Sequence, residues 1–515
     1  MNTVDRRCVL RAGLGAAAAG ALAACTRPGS APALVSPSGA AVAAKDGERA
    51  GTGPTRAVTL VAAPAQVELG AGLMADTWAY DGRTPGKELR LSAGDRLAAT
   101  LSNRLPDGAT TSVHWHGIAL RNDMDGVPQV TQRPVTAGSD FTYRFSAGVP
   151  GTYFFHPHVG VQLDRGLHAP LIVEDPKEPL PYDEEWVLVL DDWLDGVTGT
   201  PDDVYAELRR GMSGMHMGSR PGVTDGTRPP SSGAGMPTRP MPRSRSPLLG
   251  GRAGDVEYPH HLINGRVPAD PEILRTKPGR RLRLRVINAG GDTAYRVALG
   301  GHELTVTHTD GFPVRHRPAD ALLVGMGERY DALVTLGDGV FPLVALAEGK
   351  DATGMAVIRT GSGGLPRAST RPRELDGRIG SASRLRAADE VWLPPKKPDR
   401  VHRVELTGGM MAYDWSVDGR RFDMDDPTAH PLTVEEGRRV RLDFVNTTAM
   451  WHPMHLHGHT FQLGASGPRK DTAVVLPRTT VSVAFDADNP GRWMLHCHNA
   501  YHAEAGMMAL LAYLG

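Results

Sequence analysis

His496-Cys497-His498-Asn499-Ala500-Tyr501-His502-Ala503-Glu504-Ala505-Gly506-Met507, close to the C-terminus, puts one thiol, three imidazoles and a thioether into twelve residues. Two His, one Cys and a weak axial Met are the ligand set of a blue-copper electron-transfer centre. On an extended strand, side chains alternate between faces, so Cys497 points one way and His496 and His498 together the other. One short strand then serves a copper on one face and further metal on the opposite face, with Cys497 as the covalent bridge. A buried cysteine among incidental histidines is the plain alternative, and the rest of the chain decides between the two.

Working outward, 515 residues at about 150 per domain suggest three domains. The formal net charge is zero, so nothing favours nucleic acid as a partner. The 61 glycines and 41 prolines, with few aromatics, suit many short strands joined by turns. Each of the three cysteines has its own reading. Cys8 lies in Asp5-Arg6-Arg7-Cys8-Val9-Leu10-Arg11, which resembles a twin-arginine export signal, and a short apolar run follows. That run ends Leu22-Ala23-Ala24-Cys25, which resembles a bacterial lipobox and implies cleavage before Cys25 and a lipid anchor on the outer face of the membrane. A plain cleaved signal giving a soluble exported protein is the competing expectation. Cys497 is then the one cysteine left in the body, which rules out a disulfide scaffold and suits metal ligation.

Residues 1–24 therefore read as the signal, and the Ala-, Gly-, Pro- and Ser-rich 25–54 as a flexible tether. From 55 to 180, short alternating or β-branched runs such as Ala57–Val61, Arg96–Leu101 and Thr152–His156 have the rhythm of a β-sandwich. A second unit, 181–362, repeats it around a Gly-, Pro-, Ser- and Met-rich insertion at 200–255. Residues 363–398 read as a linker, and 399–515 as a third unit. The units also look like copies of one another. Ala93-Gly94-Asp95, Asn103 and His114-Trp115-His116-Gly117 line up with Glu436-Gly437-Arg438, Asn446 and His455-Leu456-His457-Gly458. Gly151-Thr152-Tyr153-Phe154-Phe155-His156-Pro157-His158 lines up with Gly491-Arg492-Trp493-Met494-Leu495-His496-Cys497-His498. The middle unit keeps Pro278-Gly279-Arg280 and Asn288 but has no His-x-His pair, and reads as a spacer copy without a metal site.

Four His-x-His pairs result: His114/His116, His156/His158, His455/His457 and His496/His498. On a strand each pair projects from one face, and eight imidazoles meeting at the seam of two sandwiches would hold about three metal ions. These motifs, with His452-Pro453-Met454 ahead of His455, resemble the four copper motifs of multicopper oxidases, and most of all the three-domain, exported, actinobacterial oxidases linked to copper resistance. The resemblance spans nearly all of 55–515 and implies an all-β chain of three consecutive cupredoxin-like Greek-key β-sandwich domains. It implies four copper ions as cofactors. His452, Cys497, His502 and Met507 match the type 1 ligands, and His114 and His455 the type 2 ligands. His116, His156 and His498 match one type 3 copper, and His158, His457 and His496 the other. Electrons enter at the edge of His502, pass through Cys497, and reduce O2 to water at the trinuclear cluster.

Asp125 matches the family's acidic residue near the type 2 copper, a proton relay; the alternative is a turn-forming Asp before Gly126. Some bacterial relatives carry a second acid directly after the histidine matched by His502; here that place is Ala503, and Glu504, one residue on, is expected to point elsewhere. Met212, Met215, Met217, Met236 and Met241, with His216, form either a cuprous-ion capture loop or a solvent-exposed loop. The expected function is a lipid-anchored oxidase of Cu(I) and phenolic or other aromatic reductants. The alternatives are a general laccase acting on phenols, or a copper-free cupredoxin-fold binding protein. His260, His261, His302, His308 and His459 read as structural.

Overall fold

A computed structural model describes residues 33–210 and 244–515. The motifs around Cys8 and Cys25, and Met212, Met215, His216, Met217, Met236 and Met241, lie outside the described residues. The chain is all-β, with three cupredoxin-like sandwiches in succession. The first packs a sheet in the order Met74–Tyr80, Thr55–Glu68, Arg96–Asn103, Asp140–Ser146 against one in the order Leu89–Ser92, Ala169–Glu174, Gly151–His156, His114–His116. The middle unit has two six-stranded sheets, and the third has one of six strands and one of five.

The repeated sequence devices have repeated structural roles. Gly94, Gly279 and Gly437 each turn with positive φ into a strand that pairs in parallel with the opening strand of its unit. The asparagine ending each of those strands is buried and ties a loop to the opposite sheet. Asn103 Nδ2 donates to the carbonyls of Ala109 and Val135, Asn288 Nδ2 to those of Thr293 and Val324, and Asn446 Nδ2 to those of Met450 and Val475. In all three, Oδ1 accepts a backbone N–H two residues on. A buried backbone group left unpaired is costly, so one side chain that satisfies three of them recurs.

In the strand Arg281–Asn288, Leu282, Leu284 and Val286 face the core of the middle unit. The alternate positions Arg283 and Arg285 are also buried, because that face abuts the first unit; Asp331 neutralises both, at 2.6 and 3.2 Å, and also accepts from Thr152. The motif strands lie side by side at the other seam, between first and third units. His114 pairs across the ladder with His156, and His455 with His496.

Two segments differ from expectation. Within the supposed tether, Ala40–Glu48 forms an α-helix with Val42 buried. Leu34 bridges to Leu514, Val35 N–H donates to the Tyr513 carbonyl, and Arg492 Nε returns a hydrogen bond to the Val35 carbonyl. Asp46 and Arg49 reach Arg121 of the first unit and Asp488 of the third, so residues 33–49 strap the two units together. Within the supposed linker 363–398, Ile379–Gly380 adds a short strand to the second sheet of the middle unit and Leu375 is buried.

Replacing Asn446 with Ala removes the Nδ2 donor shared by the Met450, Val475 and Leu476 carbonyls and the Oδ1 acceptor of the Thr448 N–H. The expected loss is about 2–3 kcal/mol of unfolding free energy, read by urea or thermal unfolding. A change below about 0.5 kcal/mol would contradict the tying role.

Candidate metal centre

The twelve-residue stretch folds as the end of a strand, a short helix and a turn that leads into a second strand at Met508. Arg492–Cys497 delivers Cys497 into the core of the third unit. Asn499 then caps the helix Ala500–Ala505 by accepting from the N–H groups of Tyr501 and His502, and Gly506 ends it at φ 119°. This turn brings His502 back over Cys497 and lets the Cys497 N–H donate to the Met507 carbonyl at 3.0 Å. Cys497 Sγ lies 3.7 Å from His452 Nδ1 and 3.5 Å from His502 Nδ1, and those nitrogens are 3.1 Å apart. Their far nitrogens are already taken, His452 Nε2 by Thr448 Oγ1 and His502 Nε2 by Asp255, each at 2.9 Å. Both Nδ1 atoms therefore face the sulfur. Met507 is wholly buried in the same cluster.

His496 and His498 lie on the opposite side of that strand, their ring centres 5.8 Å apart, as strand alternation requires. There they meet the other three pairs. His114 stacks on His457 at 3.6 Å and His116 on His455 at 3.7 Å. His498 packs against His116 and His156 at 4.8 and 5.3 Å, and His158 against His457 and His496 at 5.1 and 5.0 Å.

In six of the eight rings, one nitrogen is tied outward and the other faces inward; His158 and His498 have no ring hydrogen bond. Nδ1 of His114 donates to the Asp125 carbonyl, that of His156 to the Pro157 carbonyl, that of His455 to the Asp471 carbonyl and that of His496 to the Cys497 carbonyl, all within 3.0 Å. His457 Nδ1 is held by an Asp125 carboxylate oxygen at 2.9 Å and His116 Nε2 by Asp471 Oδ1 at 3.1 Å. The inward nitrogens, His114 Nε2, His116 Nδ1, His156 Nε2, His455 Nε2 and both of His498, are buried with no partner. His457 Nε2 and His496 Nε2 face each other at 3.1 Å, although neither has a proton to spare once its Nδ1 has donated. Such a set of bare nitrogens, most with the opposite edge fixed, is how metal-ligating histidines are oriented. Imidazole and thiolate suit copper, so the donor set fits the group its motifs imply.

Burial first, and neighbouring imidazoles second, hold His116, His156, His158, His457, His496 and His498 well below the usual histidine range, so these rings are neutral. His502 behaves oppositely. Burial lowers it, but Asp255 and Cys497 outweigh burial and push it up to about 10. A metal at its Nδ1 therefore displaces a firmly held proton.

Every histidine singled out from sequence joins one of the two donor sets, with Cys497 between them. Asp125 is wholly buried between His114 and His457, in the turn that leads into Gly126 at φ 85°. His459 has both nitrogens engaged, by the His457 carbonyl and the Tyr513 hydroxyl, as a structural residue should. The His502 ring is wholly buried, and Asp255, itself buried and bonded to the Tyr413 hydroxyl, covers its Nε2. Ala503 and Glu504 both border one cavity of about 240 Å³ that reaches His156, His158, His496 and His498, so the one-residue offset does not remove Glu504 from that space. Sequence reasoning missed Asp255, Asp471 and Arg329. The last two pair through a fork of 2.7 and 2.6 Å behind His116 and His455. The run Arg469-Lys470-Asp471 ahead of an apolar strand was the one signal for Asp471, and a charged strand start ordinarily reads as surface.

Family models described as multicopper oxidase match residues 62–178, 238–363 and 393–514. The chain is 45% identical to the multicopper oxidase MmcO of Mycobacterium tuberculosis, over 100% of this chain and 98% of that protein. It is 29% identical to a copper resistance protein A homolog of Pseudomonas syringae pv. tomato, over 83% of this chain and 87% of that one. Among solved structures, a multi-copper oxidase from Pseudomonas thermotolerans superposes with a TM-score of 0.63 at 28% identity, covering 90% of this chain and 100% of that chain. A laccase mutant from B. aclada superposes at 0.71 and 25%, covering 91% and 89%.

Neutral buried rings set a pH dependence for the metal-free chain. An unfolded histidine takes up a proton near pH 6.5, and these rings only far below it. Between those limits the unfolded state binds more protons, so stability falls as pH drops below about 6.5. Thermal unfolding of the chelated protein at pH 8 and pH 5 checks this, with a lower midpoint expected at pH 5. A midpoint that rises on acidification would contradict the neutral-ring assignment.

Proposed function

The chain belongs to the multicopper oxidase family, and from that premise we propose that it oxidises Cu(I), and phenolic substrates, one electron at a time and reduces O2 to water, in copper detoxification. The observation that carries this reading is the pair of back-to-back donor sets joined through Cys497, with bare nitrogens turned inward and most of the rings held from outside. Four copper ions fit them: type 1 at His452, Cys497, His502 and Met507; type 2 at His114 and His455; and two type 3, one at His116, His156 and His498, the other at His158, His457 and His496. Bound copper supplies the one-electron steps at the thiolate and the four-electron reduction of O2 at the histidine cluster. The chain's own residues do the rest. Cys497 is covalently continuous with His496 and His498, which gives electrons a bonded path from one set to the other. Asp255 and Asn499 fix the His502 ring at the start of that path. Asp125 spends one carboxylate oxygen on His457, while Oδ1 has no hydrogen-bond partner and is free to hold a proton beside the cluster.

Likeness to the copper resistance protein A homolog and the Met-rich 212–241 segment support Cu(I) as substrate. A general laccase is the second reading, supported by 26% identity to a laccase-2 of Botryotinia fuckeliana over 83% of this chain. Arg6-Arg7 and Leu22-Ala23-Ala24-Cys25 support export and a lipid anchor at Cys25, a proposal that mass analysis of the membrane-extracted N-terminus checks.

Copper analysis and absorption spectroscopy test the main reading. An intense red thiolate band is expected, absent in Cys497→Ser; a copper-loaded wild type with neither the band nor bound copper would instead support a copper-free binding protein. Asp125→Asn should keep the band and slow O2 consumption about 100-fold. Replacing Met212, Met215 and Met217 together should depress Cu(I) oxidation and spare phenol oxidation, whereas unchanged Cu(I) turnover sinks the capture loop.

A further inference from the structure

Two carboxylates flank the histidine cluster in the same manner from opposite sides. Asp125, in the first unit, accepts from His114 of its own pair through its backbone carbonyl at 2.9 Å and from His457 of the third unit through its carboxylate at 2.9 Å. Asp471, in the third unit, accepts from His455 of its own pair through its backbone carbonyl at 3.0 Å and from His116 of the first unit through its carboxylate at 3.1 Å. The rings each carboxylate joins are the two stacked pairs. This is a pseudo-twofold relation exchanging the first and third units. The alignment of repeats does not reveal it, because the two acids stand at different distances beyond their motifs.

The equivalence ends at the third partner. Asp125 Oδ1 has none. Asp471 is gripped by the fully buried Arg329 of the middle unit, Nη1 and Nη2 donating to its two oxygens at 2.7 and 2.6 Å. Arg329 is itself fixed by the Thr152 carbonyl of the first unit and the Gly327 carbonyl of its own. A bidentate fork of this kind sets orientation as well as charge. The space for it is kept by Gly117, which closes the first histidine motif; a Cβ there would lie 2.5 Å from Arg329 Nη2 and 2.7 Å from Asp471 Oδ2. With its carboxylate committed to the fork, Asp471 offers no oxygen to a cation of its own between His116 and His455. The outcome is visible in the rings. Asp125 holds His457 by Nδ1 and leaves Nε2 inward, whereas Asp471 holds His116 by Nε2 and leaves Nδ1 inward.

We propose that Asp471, keyed by Arg329, is a positioning residue of the cluster. Its carboxylate selects which nitrogen His116 turns toward metal, beside the stacked His455 that its carbonyl holds, so the middle unit shapes a site to which it gives no ligand. The proposal rests on reading the eight histidines as copper ligands. Copper-loaded wild type, Asp471→Asn, Arg329→Met, Arg329→Lys and the control Asp331→Asn test it by copper count, the red thiolate band and electron paramagnetic resonance. Asp331 is a buried carboxylate of the same unit, tied to Arg283 and Thr152, with no cluster histidine among its hydrogen-bond or ion-pair partners. Asp471→Asn and Arg329→Met should keep the thiolate band, shift the type 2 hyperfine splitting, and lose at least one copper per chain on dialysis against a mild chelator. Arg329→Lys, which keeps the charge without the fork, should shift the same splitting less. Asp331→Asn should lower the unfolding temperature with an unaltered resonance spectrum. Wild-type spectra and full copper retention in all three Asp471 and Arg329 variants overturn the proposal, as does an equal spectral change in Asp331→Asn. A wild type that binds no cluster copper overturns instead the underlying reading of the histidines.

Discussion

A ring nitrogen buried without a hydrogen-bond partner costs about 1–3 kcal/mol, and the centre of this molecule gathers six of them. Everything around the cluster can be understood as the means of keeping those atoms bare, neutral and convergent. Four of the rings are anchored by their other nitrogen to a backbone carbonyl, which fixes the tautomer without bringing in charge. Those carbonyls sit in the motif strands or directly beside them. Local sheet geometry is thereby translated into the aim of lone pairs.

The interfaces between units follow a different rule from the cores. Within each sandwich, alternating apolar residues make the core. At the seams of the middle unit, buried charges meet: Lys470 of the third unit with Asp310 and Glu328, and Asp471 with Arg329, while the middle unit's own Arg283, Arg285 and Asp331 back onto Thr152 of the first. Desolvation offsets most of the attraction in such pairs, so their chief contribution here is register. A sandwich displaced by one residue would leave several charges unpaired in the interior, which is far more costly than a slipped apolar face. That register is what brings histidines from two separate sandwiches to within stacking distance.

Much of this was legible in the chain because it is written in short-range spacing. His-x-His on a strand has a period of two, and the structure places His496 and His498 on the face opposite Cys497 as that period demands. The Gly and Asn of each repeat marked the same turn and the same tie in all three units. What was not legible joins residues distant in sequence. Asp471 touches His116 across 355 positions, and His502 meets Asp255 across 247. Asp255 carries no local signature, and the charged run that holds Asp471 reads as surface. The segment 40–48 misled for another reason. Its Ala- and Gly-rich composition reads as spacer, yet alanine is also the best helix former, and burial of Val42 against the folded body decides between the two.

The bridge between Leu34 and Leu514 sets the two ends of the folded body side by side. A polypeptide whose ends adjoin is nearly a ring, and here the ring has three beads, each touching both others. The order of the units along the gene is then one of several equivalent linear cuts through a cyclic arrangement. Opening the chain in the exposed stretch 361–369 and joining the old ends by a short peptide would preserve almost every contact described above. By the same logic, anything attached at Ala33 or Gly515 leaves the folded body from one shared edge, at the seam of the first and third units, and not from opposite poles.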